Sequence, residues 1–230
     1  MKYAMHVGES DDGRLFDARH GCEVFSQRVL TFADQAGQRS NDASDEVLYL
    51  LEGSARATID GQAHELRPGT AVFVARGTSW SVEGDARAIS VLVHGPEESS
   101  ASHAVLDLAH SERDNATAGR QFILGATPES GCASVTQFVG LIPQGRAPDH
   151  FHTYDEVIYV LEGEGYLEIG GEQAPVRAGS CIHLPARLVH CLANTGESEM
   201  RVLGVFRPAG SPAEAYYPDG TAAVVPTEET

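Results

Sequence analysis

The sequence predicts an all-β protein made of two tandem copies of one domain, on three observations. Its 230 residues include 24 glycines, and short runs of Val, Ile, Leu and Phe are interrupted by Gly and Pro, a pattern typical of β-strands. Two-residue turns at Asp60-Gly61 and Gly170-Gly171 separate alternating segments and predict β-hairpins. An internal repeat without gaps relates the two halves of the chain.

The repeat pairs each residue n with residue n + 110. Residues 45–53 (DEVLYLLEG) correspond to residues 155–163 (DEVIYVLEG), and 15 of the 60 positions in residues 21–80 are identical. Upstream, a Gly-Arg-x-Phe motif that begins at Gly13 is echoed by one that begins at Gly119. The chain therefore reads as a tandem duplication.

The stretch between the two copies is polar and rich in small residues, which is typical of a linker. We predict an N-terminal domain of residues 1–98, a linker of residues 99–117 and a C-terminal domain of residues 118–230. The tail after Pro208 is rich in Pro, Gly and Ala, and we expect it to wrap around its domain or to fray.

Charge and composition exclude several classes of function. The chain has 16 Lys and Arg against 33 Asp and Glu, a net charge of −17 that repels phosphate backbones and anionic lipids. We therefore expect neither nucleic acid nor membrane partners. The N-terminus lacks the apolar segment of a signal peptide, and the four cysteines form no CxxC pair, so we expect reduced thiols and a cytoplasmic location.

Metal-binding residue types cluster in the second copy. His150 and His152 are two residues apart, so on a strand both imidazoles point to one side, and Glu156 follows four residues later. The segment GSCIHLPARLVHCLAN then supplies His190. Three imidazoles and one carboxylate suit a divalent transition metal such as Fe, Mn, Ni, Co or Zn. We predict one such ion per chain, and the alternative is a set of buried histidines satisfied by hydrogen bonds.

These segments resemble the two conserved motifs of the cupin superfamily. The spacing is Gly145-x4-His150-x-His152-x3-Glu156-x6-Gly163, then Gly179-x5-Pro185-x4-His190-x3-Asn194. One residue fewer lies between Gly145 and His150, and Arg187 stands where the second motif often has Gly. The resemblance covers residues 130–208 strongly and residues 20–94 through the repeat. It implies two tandem jelly-roll (double-stranded β-helix) barrels, a bicupin, with His150, His152, Glu156 and His190 as the metal ligands.

The repeat predicts that the first copy has lost this site. It maps the four ligand positions of the second copy, in order, to Ser40, Asp42, Glu46 and Trp80. A tryptophan would fill the space of a metal and its water, so we expect a packed, structural barrel. The alternative is a metal-free pocket in which Asp42, Glu46 and Trp80 bind a small ligand.

Four further residues are candidates for the site in the second copy. His183 lies on the strand that leads to the last histidine, and is either a catalytic proton shuttle or a packed core residue. Gln137 either faces the substrate or shares a structural role with its counterpart Gln27. Tyr166 and Arg201 are either substrate-binding residues or surface residues.

Together these features predict a mononuclear metalloenzyme for a small anionic or enolisable organic substrate. The resemblance admits dioxygenase or oxidoreductase chemistry, which we place first, and non-redox isomerase, lyase, cyclase or decarboxylase chemistry. It also admits a non-catalytic small-molecule-binding or sensory protein. In an enzyme, proton transfer would fall to Glu156 or to His183. The expected partner is a small-molecule substrate, and the protein could also associate as a homodimer.

Overall fold

The computed structural model describes residues 1–9, 13–33, 37–96 and 100–223. The strands from the start of the chain up to residue 107 are β1 (Ala4–His6), β2 (Phe25–Phe32), β3 (Gly37–Arg39), β4 (Ser44–Ile59), β5 (Gln62–Leu66), β6 (Thr70–Val74), β7 (Trp80–His94) and β8 (His103–Asp107). Those that follow are β9 (Asp114–Asn115), β10 (Gln121–Leu124), β11 (Thr136–Ile142), β12 (Gly145–Arg146), β13 (Asp155–Glu162), β14 (Glu164–Ile169), β15 (Glu172–Arg177), β16 (Ser180–Leu184), β17 (Cys191–Asn194) and β18 (Met200–Arg207).

Helical structure is confined, in this described part, to short 3-10 turns. These are Val7–Glu9, Ala18–His20, Leu108–His110, Thr117–Gly119 and Pro128–Ser130. The remaining elements form antiparallel sheets. The predicted all-β fold of two tandem jelly-roll barrels is therefore confirmed.

The two barrels repeat the same strand order. The first contains the sheet β2-β7-β4-β6-β8, with β3 paired to β7 and β5 paired to β4. The second contains the sheets β1-β16-β13-β18-β11-β10-β9 and β12-β17-β14-β15. The order β7-β4-β6 in the first barrel matches β18-β13-β16 in the second, as a duplicated sequence requires.

Both predicted hairpins are present. Asp60 and Gly61 connect β4 to β5 with φ angles of 49° and 77°. Gly170 and Gly171 connect β14 to β15 with φ angles of 60° and 83°. A two-residue hairpin turn with positive φ at both central positions matches the twist of its strands, which explains why Gly and Asp occupy these positions.

The barrels exchange a strand at their interface. Strand β1, at the start of the chain, pairs with β16 of the second barrel, from Ala4 opposite Ile182 to His6 opposite Ser180. Strand β8, which lies inside the predicted linker, pairs with β6 of the first barrel. Strand pairing therefore crosses the predicted domain limits, which stay a prediction. Residues 97–99, which include the first residue of that linker, and residues 224–230 of the predicted tail lie outside the described residues.

The strands of each barrel contribute to two different cores. In β13, Ile158 and Val160 belong to the interior of the second barrel, whereas Val157 and Tyr159 belong to a core shared with the first barrel. The interior of the first barrel is a separate cluster that includes Trp80. Because successive side chains of a strand point to opposite faces, residue parity decides whether a side chain faces a barrel interior or the other barrel.

Candidate metal centre

The histidines of the second barrel lie on two extended segments that run side by side. His150 and His190 form an isolated antiparallel bridge, with mutual backbone hydrogen bonds of 3.1 and 2.9 Å. His152 follows two residues after His150 and shares its face, while the intervening Phe151 turns away and pairs with Tyr216. The backbone pairing brings the two sequence motifs together.

Three imidazoles converge in this position. The ring centroids of His150 and His190 are 4.6 Å apart. The ring centroid of His152 lies 5.1 Å from that of His150 and 5.2 Å from that of His190. One ligand atom from each ring lies within 4.8 Å of the others. Among the residues that the structure describes, these three histidines form the one group of potential metal ligands whose ligand atoms lie this close together.

Each imidazole is oriented by a backbone carbonyl. Nδ1 of His150 lies 2.9 Å from the Pro148 carbonyl, and Nδ1 of His190 lies 2.9 Å from the Leu188 carbonyl. Nδ1 of His152 lies 2.7 Å from the carbonyl of a residue in the C-terminal tail. A carbonyl accepts only, so each Nδ1 carries the proton and each Nε2 keeps its lone pair for a ligand.

Burial holds the three rings in the neutral form that binds metals. It lowers the pKa of His150 and, together with the other two rings, lowers the pKa of His190 well below its usual value. Burial and the neighbouring His150 lower the pKa of His152 to about 3. Neutral, pre-oriented imidazoles with converging lone pairs fit a divalent transition ion.

The predicted fourth ligand, Glu156, lies on the wall of the same cavity but outside the three-histidine cluster. It is the second residue of β13, and its side chain is buried near Phe138 and Gly204. Burial raises the pKa of its carboxyl to about 8, against the opposing positive charge of Arg120. A buried carboxyl of this kind ionises readily only when a cation lies close to it.

The cavity is small and mostly apolar, with a volume of about 80 Å³. Aromatic side chains form one side of it, where Tyr154 stacks on Phe206 at 3.9 Å and on His152 at 4.7 Å. Arg120 also lines the cavity, and its guanidinium donates a hydrogen bond to the carbonyl of Leu192. A cationic side chain therefore shares this cavity with the histidine cluster.

Arg120 is the site residue that the sequence reasoning missed. Its signal was the Gly-Arg-x-Phe motif at Gly119, which the repeat identified but which indicated no function. The residue immediately precedes β10, which lies next to the short edge strand β9, and its side chain lines the cavity. Only the three-dimensional arrangement relates it to histidines that lie at least 30 residues further along the chain.

Two of the other candidate residues lie between the barrels. The Gln137 amide donates a 3.0 Å hydrogen bond to the Leu48 carbonyl of the first barrel. His183 is buried, its ring packs on Phe16 at 5.7 Å, and its Nε2 lies 3.8 Å from a carboxylate oxygen of Asp155. Strand parity explains both positions, because their sequence neighbours Phe138 and Leu184 line the cavity instead.

The remaining two candidates also lie away from the cavity. Tyr166 is half-buried on β14, next to Leu167, which faces the barrel core. Arg201 forms a 3.4 Å ion pair with Glu162 in an open groove between the barrels. The structure therefore gathers the four predicted metal ligands around one cavity, and it places the four additional candidates elsewhere.

The equivalent position in the first barrel is filled by protein side chains. Glu46 accepts a 2.5 Å hydrogen bond from Ser90 and forms a 3.3 Å ion pair with Arg28. A second guanidinium, that of Arg39, lies 4.0 Å from Glu46 and 5.2 Å from the centre of the Trp80 ring. The tryptophan is buried in the barrel interior. Guanidinium groups thus compensate the carboxylate in this barrel, which agrees with the packed interpretation.

Of the other two mapped positions, Asp42 is exposed and Ser40 is also at the surface. Trp80, in contrast, is buried. The arrangement gives no support to a pocket formed jointly by Asp42, Glu46 and Trp80.

Family comparisons match both halves. Residues 137–206 match the family model described as the cupin domain, and residues 21–91 match the EutQ-like cupin domain. The chain belongs to the cupin superfamily. With one cupin domain in each half, it is a bicupin. The predicted resemblance is confirmed.

Curated relatives match this bicupin over short regions. The polyketide synthase CurC of Streptomyces cyaneus is 33% identical over 75 residues, which cover 31% of this chain and 49% of that protein. Auxin-binding protein 1 of Arabidopsis thaliana is 32% identical over 73 residues, which cover 28% of this chain and 37% of that protein. The chain thus spans about half or less of the length of these relatives.

Solved structures match almost the whole bicupin at low identity. A glyoxylate-induced protein from Pseudomonas aeruginosa has a TM-score of 0.70 and 20% identity, covering 80% of this chain and 74% of that chain. A single-residue variant of Bacillus subtilis oxalate decarboxylase has a TM-score of 0.72 and 13% identity, covering 91% of this chain and 78% of that chain. At these identities the comparison shows the shared fold.

Two further observations concern the cysteines and the helices. All four cysteines are free and buried. Among the described residues, no helix combines the length and the apolar character needed to cross a bilayer.

Proposed function

We propose that this bicupin is a mononuclear metal-dependent enzyme that acts on a small organic carboxylate. The observation that supports the proposal is one cavity that combines three converging neutral imidazoles with the guanidinium of Arg120. His150, His152 and His190 would hold one divalent transition ion (Fe, Mn, Ni, Co or Zn), and Glu156 would supply the compensating negative charge. When bound, such an ion supplies a Lewis acid and, for a redox-active metal, electron-transfer chemistry with O₂.

Arg120 would bind the carboxylate of the substrate. One N–H of its guanidinium is used by the Leu192 carbonyl, and the planar group has five N–H donors in all. Guanidinium groups bind carboxylates through paired hydrogen bonds that fix orientation as well as charge. The cavity volume of about 80 Å³ restricts the substrate to a molecule with few non-hydrogen atoms.

Glu156 would also transfer protons at the substrate. Among the titratable side chains of the cavity wall, the three imidazoles are assigned to the ion and burial raises the pKa of Tyr154 well above 10. Burial raises the pKa of Glu156 to about 8 in the metal-free protein, and a bound cation would lower it toward neutral pH. A general acid or base works best when its pKa lies near the operating pH.

The proposal is tested with protein loaded separately with Fe(II), Mn(II), Ni(II) or Zn(II). Short-chain mono- and dicarboxylates, keto acids and enols are followed by NMR for consumption and in parallel for oxygen uptake. Turnover of a carboxylate supports the proposal. Oxygen uptake with Fe(II) would identify an oxygenase, and turnover with Zn(II) without O₂ would identify Lewis-acid chemistry. Tight carboxylate binding without turnover by any metal form would contradict an enzyme and indicate a binding protein.

Metal affinity is expected to rise with pH. The Glu156 carboxyl has a pKa of about 8 and must lose its proton to compensate the ion, whereas the imidazoles are already neutral. Affinity for Co(II) should therefore increase roughly tenfold per pH unit up to about pH 8 and then level off. Competition with a chromophoric chelator at a series of pH values measures this dependence. Glu156→Gln should bind more weakly and without the slope, and an unchanged slope in that variant would contradict the assignment.

Replacing Arg120 by glutamine should weaken substrate binding and leave the metal in place. Loss of a charge-assisted hydrogen bond costs about 1.5–3 kcal/mol, so the KM for the carboxylate, or the Kd of an unreactive analogue, should rise about 10- to 100-fold. Isothermal titration with short-chain carboxylates and elemental analysis give the two quantities. The matched control is Arg87→Gln, because Arg87 is an exposed arginine paired with Glu52. Equal carboxylate affinities in the two variants would refute the role of Arg120.

A further inference from the structure

We infer that residues 208–223, here called the C-terminal strap, belong to the metal centre and position His152. The inference rests on the proposed function, since it assigns a role toward the same metal site. The strap begins after β18 and is held at its start by Thr136, whose hydroxyl donates to the Gly210 carbonyl at 2.9 Å and accepts from the Gly210 N–H at 3.1 Å. It then crosses the segment that carries the first two histidines.

The strap pairs directly with that segment. Phe151 and Tyr216 exchange two backbone hydrogen bonds of 2.9 Å, and their rings stack at 5.6 Å. Next to this pair, the Thr153 hydroxyl donates a 2.7 Å hydrogen bond to the Glu214 carboxylate. These contacts place the backbone of Glu214 against the ring of His152.

The three histidines differ in the origin of their orienting carbonyl. The acceptors for His150 and His190 lie two residues earlier on their own segments, so these rings keep their acceptors whatever the tail does. The acceptor for His152 is the Glu214 carbonyl, 62 residues further along the chain. Only His152 therefore depends on the docked strap for its tautomer and ring orientation.

The strap also completes the wall of the cavity. Pro212 and Ala215 line it on the strap side, and Ala116, Thr117 and Arg120 line it on another side. A substrate that enters between these two segments would contact the strap. Docking of the strap thus affects both the affinity of the site for metal and the shape of its entrance.

Removal of the strap is expected to change the ring orientation of His152 and not that of the other two histidines. Ending the chain at Gly210 should leave His152 without its acceptor, so its ring should populate both neutral tautomers while the other two stay protonated on Nδ1. Loss of a partner that orients a metal ligand typically weakens metal binding about 10- to 100-fold. Thr153→Val and Tyr216→Ala, which loosen the strap without removing it, should give smaller changes in the same direction.

The test combines two readouts. Two-bond ¹H–¹⁵N correlation spectra of the metal-free protein, labelled at histidine, report the tautomer of each ring, and chelator competition with Co(II) reports affinity. Thr221→Val is the matched control, because the Thr221 hydroxyl donates an equivalent 2.7 Å hydrogen bond to Asp219 at the far end of the strap. That variant should leave both readouts unchanged.

The outcomes separate this inference from the proposed function. The role of the strap would be overturned if the truncated protein folds and its His152 has the same tautomer as in the wild type. If the truncated chain does not fold, a Thr153→Val/Tyr216→Ala double variant replaces it in the same comparison. A wild-type protein that binds none of the tested metals would instead refute the proposed function. The tautomer of His152 in the metal-free variants would still decide the positioning role.

Discussion

Replacing His190 by alanine is expected to remove the bound metal while leaving both barrels folded. His190 is buried and contributes one of three converging imidazoles. Losing an orienting partner of a metal ligand already costs about 10- to 100-fold in affinity, so losing a ligand itself should cost at least about 100-fold. Its backbone bridge to His150 does not require the side chain, so strand pairing should persist.

Elemental analysis after dialysis measures this effect, and we expect one ion per wild-type chain and almost none in the variant. His64→Ala is a suitable control, because His64 is a half-buried histidine of the first barrel whose ring contacts His103 at 5.2 Å. Circular dichroism verifies that each variant keeps its β-structure. A His190→Ala protein with full metal content, or a wild-type chain with two tightly bound ions, would show that the site is assigned incorrectly.

The internal repeat and the family resemblance were sufficient to predict the architecture and the histidine cluster. The repeat revealed the duplication, because equivalent turns and apolar runs recur at a constant offset. The positions of His150 and His152 followed from strand parity, which acts between near neighbours. His190 could be joined to them because its segment resembles the second conserved motif of the cupin superfamily. These inferences needed the residues within each motif and the constant offset between the two copies, but no contact made in the folded chain.

Long-range pairing was not predictable in the same way. Strand β1 has three residues, too few for a periodic pattern, and its partner β16 lies in the other half of the chain. The orientation of His183 depends on its pairing with Val157, because that register places Leu184 opposite Glu156 and turns His183 toward the first barrel. Without the register, both orientations agreed with the sequence.

The contact between the Glu214 carbonyl and His152 could not be predicted from the sequence for a different reason. The group that orients His152 is a backbone carbonyl, which every residue possesses, so no residue type marks the position. The cationic side of the cavity was missed because Arg120 is placed by the start of β10 rather than by a motif around the histidines. Side-chain chemistry can be read locally, but backbone partners and cavity walls require the assembled fold.

Replacing Trp80 by alanine is expected to destabilise the protein strongly and to leave its metal content unchanged. Trp80 is buried in the interior of the first barrel and lies beneath the guanidinium of Arg39, so its removal leaves a large void. Large-to-small changes of a buried aromatic residue cost about 3–5 kcal/mol. The ring belongs to a different core from the one beside His190, so the metal cluster should keep its geometry.

Urea unfolding followed by circular dichroism measures the free energy of unfolding, and elemental analysis measures the metal. Trp80→Phe is the matched control, because it keeps an aromatic ring in the same interior and should cost much less than alanine. A Trp80→Ala protein of unchanged stability that loses its metal would mean that the first barrel, and not the second, holds the ion, and that the guanidinium groups around Glu46 do not replace it.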